Sequence, residues 1–144
     1  MTSLNVGKAI RAGFAGTMAM TVVMMLAPII GLPKMDIAAM LGSTFASTPP
    51  PPGSPAWLTG LVMHLMIGSV VLSIGYALVS PKLPMRRTLS KGLFYGAMVW
   101  IIAQTMVMPM MGAGLFSSNL PHGATISAAS LMGHLIYGAV LAGI

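Results

Sequence analysis

Residues 57–79 read WLTGLVMHLMIGSVVLSIGYALV, and this stretch decides the fold. It contains no Asp, Glu, Lys or Arg. A helix rises about 1.5 Å per residue, so a helix of this length crosses a hydrocarbon core about 30 Å thick. Backbone amides inside lipid have to be hydrogen-bonded within their own segment, which excludes an irregular chain there. The stretch therefore predicts a transmembrane α-helix.

Three more stretches are also long and largely apolar, and they lie at residues 10–31, 90–112 and 126–144. We therefore expect an all-α fold, a polytopic membrane protein whose four transmembrane helices form a single domain over residues 1–144. The composition agrees with a membrane protein, because 56% of the residues are apolar and only 6% are charged. A soluble domain carries about 25% charged residues. The absence of cysteine excludes disulfides and thiolate metal sites.

The segment between the first two spans predicts a short helix at the membrane surface. Asp36 precedes the apolar run at residues 37–41 and Gly42 follows it, so we expect them to be its N-cap and C-cap. The four prolines at 49–52 then predict a stiff, extended connection to the second span.

The basic residues indicate an orientation. If the N-terminus is cytoplasmic, all but one of them are cytoplasmic too: Lys8, Arg11, Lys82, Arg86, Arg87 and Lys91. Only Lys34 is then outside, where Asp36 offsets its charge. Positive charge accumulates on the cytoplasmic side of membrane proteins, so we expect a multi-pass protein of the cell (inner) membrane with both termini in the cytoplasm. The net charge of +6 then suits anionic lipid headgroups rather than nucleic acid.

Two pairs of matching runs predict an internal repeat. LVMHLMIGSV at residues 61–70 matches LMGHLIYGAV at residues 131–140, and PIIG at 28–31 matches PMMG at 109–112. The order of the matches predicts two parallel helical hairpins, related by a pseudo-two-fold axis along the membrane normal. The first repeat covers about residues 8–80 and the second about residues 88–144.

Two runs resemble a known family. They are PKMDIAAMLG at residues 33–42 and the spacing His134-Leu135-x-x-Gly138. Together they resemble an uncharacterised family of small four-helix integral membrane proteins of prokaryotes. The resemblance covers most of the chain and implies the four-helix membrane fold, but it implies no activity.

The histidines of the two repeats are candidate ligands. His64 and His134 occupy equivalent positions, at a similar depth in the outer leaflet, and a glycine follows each at i+4 on the same helix face. Such a pair could hold a b-type haem from both sides. The simpler interpretation is that each histidine donates a hydrogen bond across a helix interface, where the glycine allows close approach.

The chain has 16 methionines, and most fall in the predicted outer half or in the outer connections. Thioether and imidazole ligands together suit Cu(I). Met63 and Met66 bracket His64, and Met106 and Met110 share one face of the third span, so either pair could place two sulfur atoms near one ion. Alternatively, methionine fills irregular gaps between helices.

Small residues predict where helices touch. Glycine pairs open the third span and lie near the start of the first, and a glycine follows each of the two histidines. Small residues let helix backbones approach closely, within one bundle or against a partner. We expect helix packing at Gly13, Gly16, Gly68, Gly92, Gly96 and Gly138.

The residue types that are absent argue against catalysis. No charged residue lies deep in a span, and Gln104 is the only amide there, so proton relays lack their usual carriers. Asp36 is the only acid, which excludes a carboxylate pair. Ser130 and His134 are spaced i,i+4, but no acid is available to orient a serine–histidine dyad.

The favoured function is therefore a non-catalytic accessory or structural subunit of a larger membrane complex, such as a respiratory or photosynthetic one. Its expected partners are membrane lipids and other membrane subunits, with no cofactor and no metal. One alternative is a redox carrier that binds haem b through His64 and His134. Another is an outer-leaflet protein that handles copper.

Overall fold

The computed structural model describes residues 5–46 and 48–143, and within these ranges the chain is helical and has no strand. Apart from single 3₁₀ turns, the helices of the described ranges are α1 (Val6–Ile30), α2 (Ile37–Gly42), α3 (Pro55–Lys82), α4 (Thr88–Met110) and α5 (Gly123–Leu141). All but α2 are long and apolar enough to cross a membrane. The prediction of an all-α chain with four such helices is confirmed.

The long helices begin and end where local chemistry favours it. The side chain of Asn5 accepts a hydrogen bond from the backbone of Lys8 at 2.9 Å and caps α1. Ser54 caps α3 in the same way, and a proline follows it at the first helical position. After α1 and α4 the chain turns at Gly31 and Gly112, whose φ angles of 81° and 78° favour glycine.

Helices α1 and α5 each pack against two other long helices: α5 packs against α1 and α4, and α1 also packs against α3. Backbones come very close at these crossings, since a β-carbon at Gly92 would overlap the carbonyl oxygen of Gly138. The buried core of large side chains lies between α1, α3 and α5 and consists of Met20, Met24, Tyr76, Tyr137 and Leu141.

Helices α3 and α4 each contain a π-helical segment. In α3 it covers Ile67–Leu72 and in α4 it covers Ala103–Val107. A π turn inserts a residue into an α-helix and disturbs its regular i→i+4 ladder. The carbonyl oxygen of Leu72, in the α3 segment, accepts a hydrogen bond from the hydroxyl of Tyr95 at 2.7 Å.

The short helix α2 lies against the start of α3. Asp36 is its N-cap as predicted, and accepts from the backbone of Ala39 at 2.9 Å. The prediction that Gly42 is the C-cap is wrong, because its φ of −65° is helical and Ser43 is the C-cap, at which a 3₁₀ turn begins. A β-carbon at Gly42 would overlap the carbonyl oxygen of Ala56, so this glycine permits the contact between α2 and α3.

Candidate functional site

A cavity of about 290 Å³ lies between the four long helices. Side chains of α1, α3, α4 and α5 form its walls, and residues of α2 together with Met35, just before it, form one end. Most of the lining is apolar. The polar side chains that reach the lining belong to Thr17, His64, Gln104, Ser130, His134 and Tyr137.

His64 lies on α3 and is buried. Its Nε2 atom is 3.0 Å from the hydroxyl oxygen of Thr21 on α1. That hydroxyl donates its only proton to the carbonyl oxygen of Thr17 at 2.7 Å, so the imidazole is the donor in the contact with Thr21. The neutral ring therefore carries its proton on Nε2 and a lone pair on Nδ1.

His134 lies on α5 and makes its hydrogen bond within its own helix. Its Nδ1 atom is 2.8 Å from the carbonyl oxygen of Ser130, and because a carbonyl can only accept, Nδ1 carries the proton. The neutral ring then has its lone pair on Nε2, which has no hydrogen-bond partner in the part of the chain that the structure describes.

The two histidines therefore line the same cavity but bond to different neighbours. His64 reaches across to α1, whereas His134 bonds to its own helix. Each ring donates its N–H to a protein oxygen. The lone pair of its other nitrogen has no protein partner among the described residues. In chemical terms, the residues that line the cavity include two imidazoles, each with an acceptor nitrogen that can bind a metal ion or a hydrogen-bond donor.

A second polar chain leads from the loop after α4 to His134. The hydroxyl of Ser117 donates to the side-chain oxygen of Gln104 at 3.2 Å, and the amide of Gln104 donates to the hydroxyl of Ser130 at 3.4 Å. Ser130 in turn lies 3.4 Å from Nδ1 of His134. The sequence indicated Gln104 only as the single amide in a span. Its connection to Ser117 depends on the fold of the loop.

The serine–histidine contact does not form a catalytic dyad. Nδ1 of His134 already carries a proton that it donates to the carbonyl of Ser130, so this nitrogen cannot accept the proton of the Ser130 hydroxyl. Asp36, the only acid of the chain, is engaged by the indole N–H of Trp57 at 3.0 Å and by the cap of α2. It is not part of the cavity lining.

The methionines at the cavity are not the pairs that spacing suggested. Met66, Met106 and Met110 are exposed, with 54%, 59% and 81% of their surfaces accessible. The methionines that line the cavity are instead Met20, Met35, Met40, Met108 and Met111. Spacing along one helix could not identify this set, because its members come from α1, α2, α4 and the segments next to them.

The six glycines singled out in the sequence lie at contacts between helices of this chain. Gly13, Gly16 and Gly68 lie where α1 meets α3 or α5, and the atoms nearest to an added β-carbon belong to Ser73, Tyr137 and Thr17. Gly92, Gly96 and Gly138 lie between α4 and α5, and an added β-carbon at any of them would overlap a carbonyl oxygen of the facing helix.

Comparison with known proteins gives a family but no function. No curated protein matches the chain, and no solved structure matches it. Residues 4–144 match DUF6789, which is described as a family of unknown function. This agrees with the resemblance to an uncharacterised family. Because the match covers nearly the whole chain, the protein belongs to the DUF6789 family.

Proposed function

We propose that the protein is a multi-pass membrane protein that binds a small ligand in the cavity between its long helices. One observation carries this proposal. His64 and His134, from two different helices, line one cavity with their N–H groups already satisfied and a lone pair left on each ring. An ionisable side chain inside a membrane helix marks a functional site by default.

The shape and lining of the cavity support binding. Ligand sites in helix bundles lie between the helices and are mostly apolar with a few convergent polar groups. The volume of about 290 Å³ lies just below the range of about 300–1,000 Å³ that is usual for drug-sized molecules. The ligand that we propose is therefore an ion or a small molecule.

The π-helical segments give further support. Ile67 and Gly68 of the segment in α3 line the cavity, and so do Ala103 and Gln104 of the segment in α4. π turns interrupt the regular helical ladder and occur frequently at functional sites. Two of them at the wall of one cavity are consistent with helices that are shaped around a ligand.

Cysteine labelling tests whether this cavity admits a small molecule. The chain has no cysteine of its own, so the variant Ser130→Cys carries a unique thiol at the cavity wall. The matched control is Ser73→Cys, because Ser73 is fully buried and does not line the cavity. We expect methanethiosulfonate ethylammonium to modify the cysteine at position 130 much faster than the one at position 73. Equal, slow modification of both would contradict an accessible cavity.

Native mass spectrometry then tests binding itself. Protein extracted from its own membranes in mild detergent should carry an additional non-covalent mass. This mass should be lost in the double variant His64→Ala/His134→Ala and kept in a control such as Met110→Leu, whose side chain is exposed. A wild-type mass equal to that of the polypeptide alone would contradict the proposal.

The accessory-subunit interpretation stays a prediction. It rests on the few chemical groups of the chain and on small-residue faces that could receive a partner, and the six glycines of those faces contact helices of the same chain. The haem interpretation needs a slot for a whole porphyrin between two axial ligands, and a cavity of about 290 Å³ is small for that group. A sharp or split α band in the visible absorption spectrum of the reduced protein would restore the haem interpretation, provided that substitution of either histidine abolishes the band.

We also propose that the chain is a duplicated hairpin, with repeats at residues 8–80 and 88–144. Gly68 of α3 packs against Thr17 of α1, and its counterpart Gly138 of α5 packs against α4 at Gly92. The first helix of each repeat ends in the same way. The N–H of Leu32 donates to Ala27 at 3.1 Å and the N–H of Ala113 to Met108 at 2.9 Å, around left-handed glycines.

The orientation of the chain remains our proposal from its charges. We propose that it lies in the cell membrane with both termini in the cytoplasm, because six of its seven basic residues then lie on the cytoplasmic side. With this orientation, α2 and the end of the cavity that it forms face the outside. The ligand would then reach the cavity from outside the cell.

A further inference from the structure

Methionines lie where the cavity adjoins a second pocket. A second pocket, of about 400 Å³, lies next to the cavity and is lined by residues from the surface segments around Asp36, Pro49 and Gly112. We name it the outer pocket. Three methionines line both the outer pocket and the cavity: Met35, Met40 and Met111. These three methionines therefore form the partition between the two spaces.

Two more methionines line the cavity together with the histidines. Met20 and Met108 line the cavity and are 6% and 7% exposed. Met20 packs against Gly133, the residue before His134, and a β-carbon added to that glycine would lie 3.1 Å from Cγ of Met20. The cavity therefore combines two imidazole nitrogens with buried thioethers.

This donor set selects a soft ion. No group of three or more His, Cys, Asp or Glu side chains lies within reach of one ion in residues 5–46 and 48–143. Mg²⁺ and Ca²⁺, which proteins usually bind through carboxylates, and Zn²⁺, which usually takes four ligands from His, Cys and carboxylates, therefore lack their usual ligand groups. Thioether sulfur selects Cu(I), and imidazole is also a good copper ligand.

The hydrogen bonds of the histidines also suit metal binding. A histidine that binds a metal through one nitrogen almost always donates the N–H of the other to a carbonyl, a carboxylate or water, which fixes the ring. His134 donates to the carbonyl of Ser130 at 2.8 Å, and His64 donates to the hydroxyl of Thr21 at 3.0 Å. Both rings are thus held with the second nitrogen available.

We propose that the cavity is a Cu(I) site, in which Nδ1 of His64, Nε2 of His134 and the thioethers of Met20 and Met108 are the ligands. Met35, Met40 and Met111 form the access route from the outer pocket. This inference rests on the proposed function and names its ligand. All these donors are neutral, so binding requires no loss of a proton from the neutral rings.

Anaerobic competition with bicinchoninate tests the site. We expect the wild-type protein to take one Cu(I) per chain from the chelator, and His64→Ala/His134→Ala to take none. Thr21→Val removes the acceptor that holds His64, and we expect about 10–100-fold weaker binding. X-ray absorption of the loaded protein should give both nitrogen and sulfur ligands.

Two triple variants test the access route. Met35→Leu/Met40→Leu/Met111→Leu removes the thioethers of the partition with little change in volume. Met66→Leu/Met106→Leu/Met110→Leu replaces three exposed methionines and is the matched control. We expect the first triple variant to keep the stoichiometry but load Cu(I) about tenfold more slowly, and the control to load like wild type. Equal loading rates for both would contradict the route.

The outcomes separate the two proposals. If the chelator keeps all Cu(I) while Ser130→Cys still reacts faster than Ser73→Cys and the wild type still carries an extra mass, the copper proposal is wrong and ligand binding stands. If Cu(I) binds equally to wild type and His64→Ala/His134→Ala, the copper site is wrong as assigned. If the protein holds neither Cu(I) nor any other ligand and both cysteines react slowly, the copper proposal and the proposed function are both wrong.

Discussion

The hydroxyl of Tyr137 donates a hydrogen bond of 2.5 Å to the carbonyl oxygen of Gly68, and this contact joins the C-terminal part of α5 to the π-helical segment of α3. Both residues are buried. Tyr137 also packs on Gly16 of α1, so a single side chain joins three helices directly beside the cavity. The π turn is therefore stabilised from outside its own helix.

Removing this hydroxyl should destabilise the bundle. We expect Tyr137→Phe to lower the free energy of unfolding by about 0.6 to 1.7 kcal/mol, the scale of hydrogen bonds between membrane helices. Unfolding by sodium dodecyl sulfate in mixed micelles measures it. The matched control is Tyr76→Phe, because the buried hydroxyl of Tyr76 has no hydrogen-bond partner among the described residues. A larger loss in the control than in Tyr137→Phe would contradict this assignment.

The contact between α4 and α5 should not tolerate side chains at its glycines. In Gly92→Leu/Gly96→Leu the new side chains would overlap the carbonyl oxygens of Gly138 and His134. We expect a loss of at least about 1–3 kcal/mol, the usual effect of overpacking. Thermal unfolding in detergent measures it. Gly7→Ala is the control, since a β-carbon there meets only Asn5 at an ordinary 3.7 Å. Unchanged stability of the double variant would mean that the two helices do not meet on this face.

Asp36 should hold α2 in place at the end of the cavity. Asp36→Ala removes the N-cap of α2 and the acceptor of the Trp57 indole, so we expect a loss of about 0.5–2 kcal/mol. With Trp100 replaced by Phe, the fluorescence of Trp57 alone should shift to longer wavelength as its indole is released. Asp36→Asn keeps a capping oxygen and should behave nearly like wild type. An unchanged Trp57 spectrum in Asp36→Ala would show that the carboxylate does not hold α2.

Reporter fusions test the orientation. Alkaline phosphatase should be inactive when fused after Leu83 and active when fused after Ser117, because most of the basic residues lie on the side of Leu83. Green fluorescent protein, which fluoresces in the cytoplasm, should give the opposite pattern at the same two sites. A reversed result at both sites would place the outer pocket on the cytoplasmic side.

The approximate positions of the helices could be predicted from the sequence because they depend on local properties. A run without charge has to satisfy its own backbone in lipid, which predicts a helix at residues 57–79 whatever its neighbours are. Asp36 and Ser54 are capping residues whose capping hydrogen bonds reach only three residues along the chain. The residue at which a helix ends also depends on the local sequence. Gly42 shows, however, that a glycine near a helix end can instead permit a contact with another helix.

The candidate site depended on tertiary structure. The sequence indicated His64, His134 and Gln104 as unusual in apolar spans, because a polar group in lipid is expensive. It could not indicate that His64 bonds to Thr21, that Gln104 bonds to Ser117, or which methionines line the cavity. Those relationships depend on how each helix is rotated about its axis. In spans that are apolar on every side the pattern of residues does not determine that rotation, and only the packing of one helix on another does.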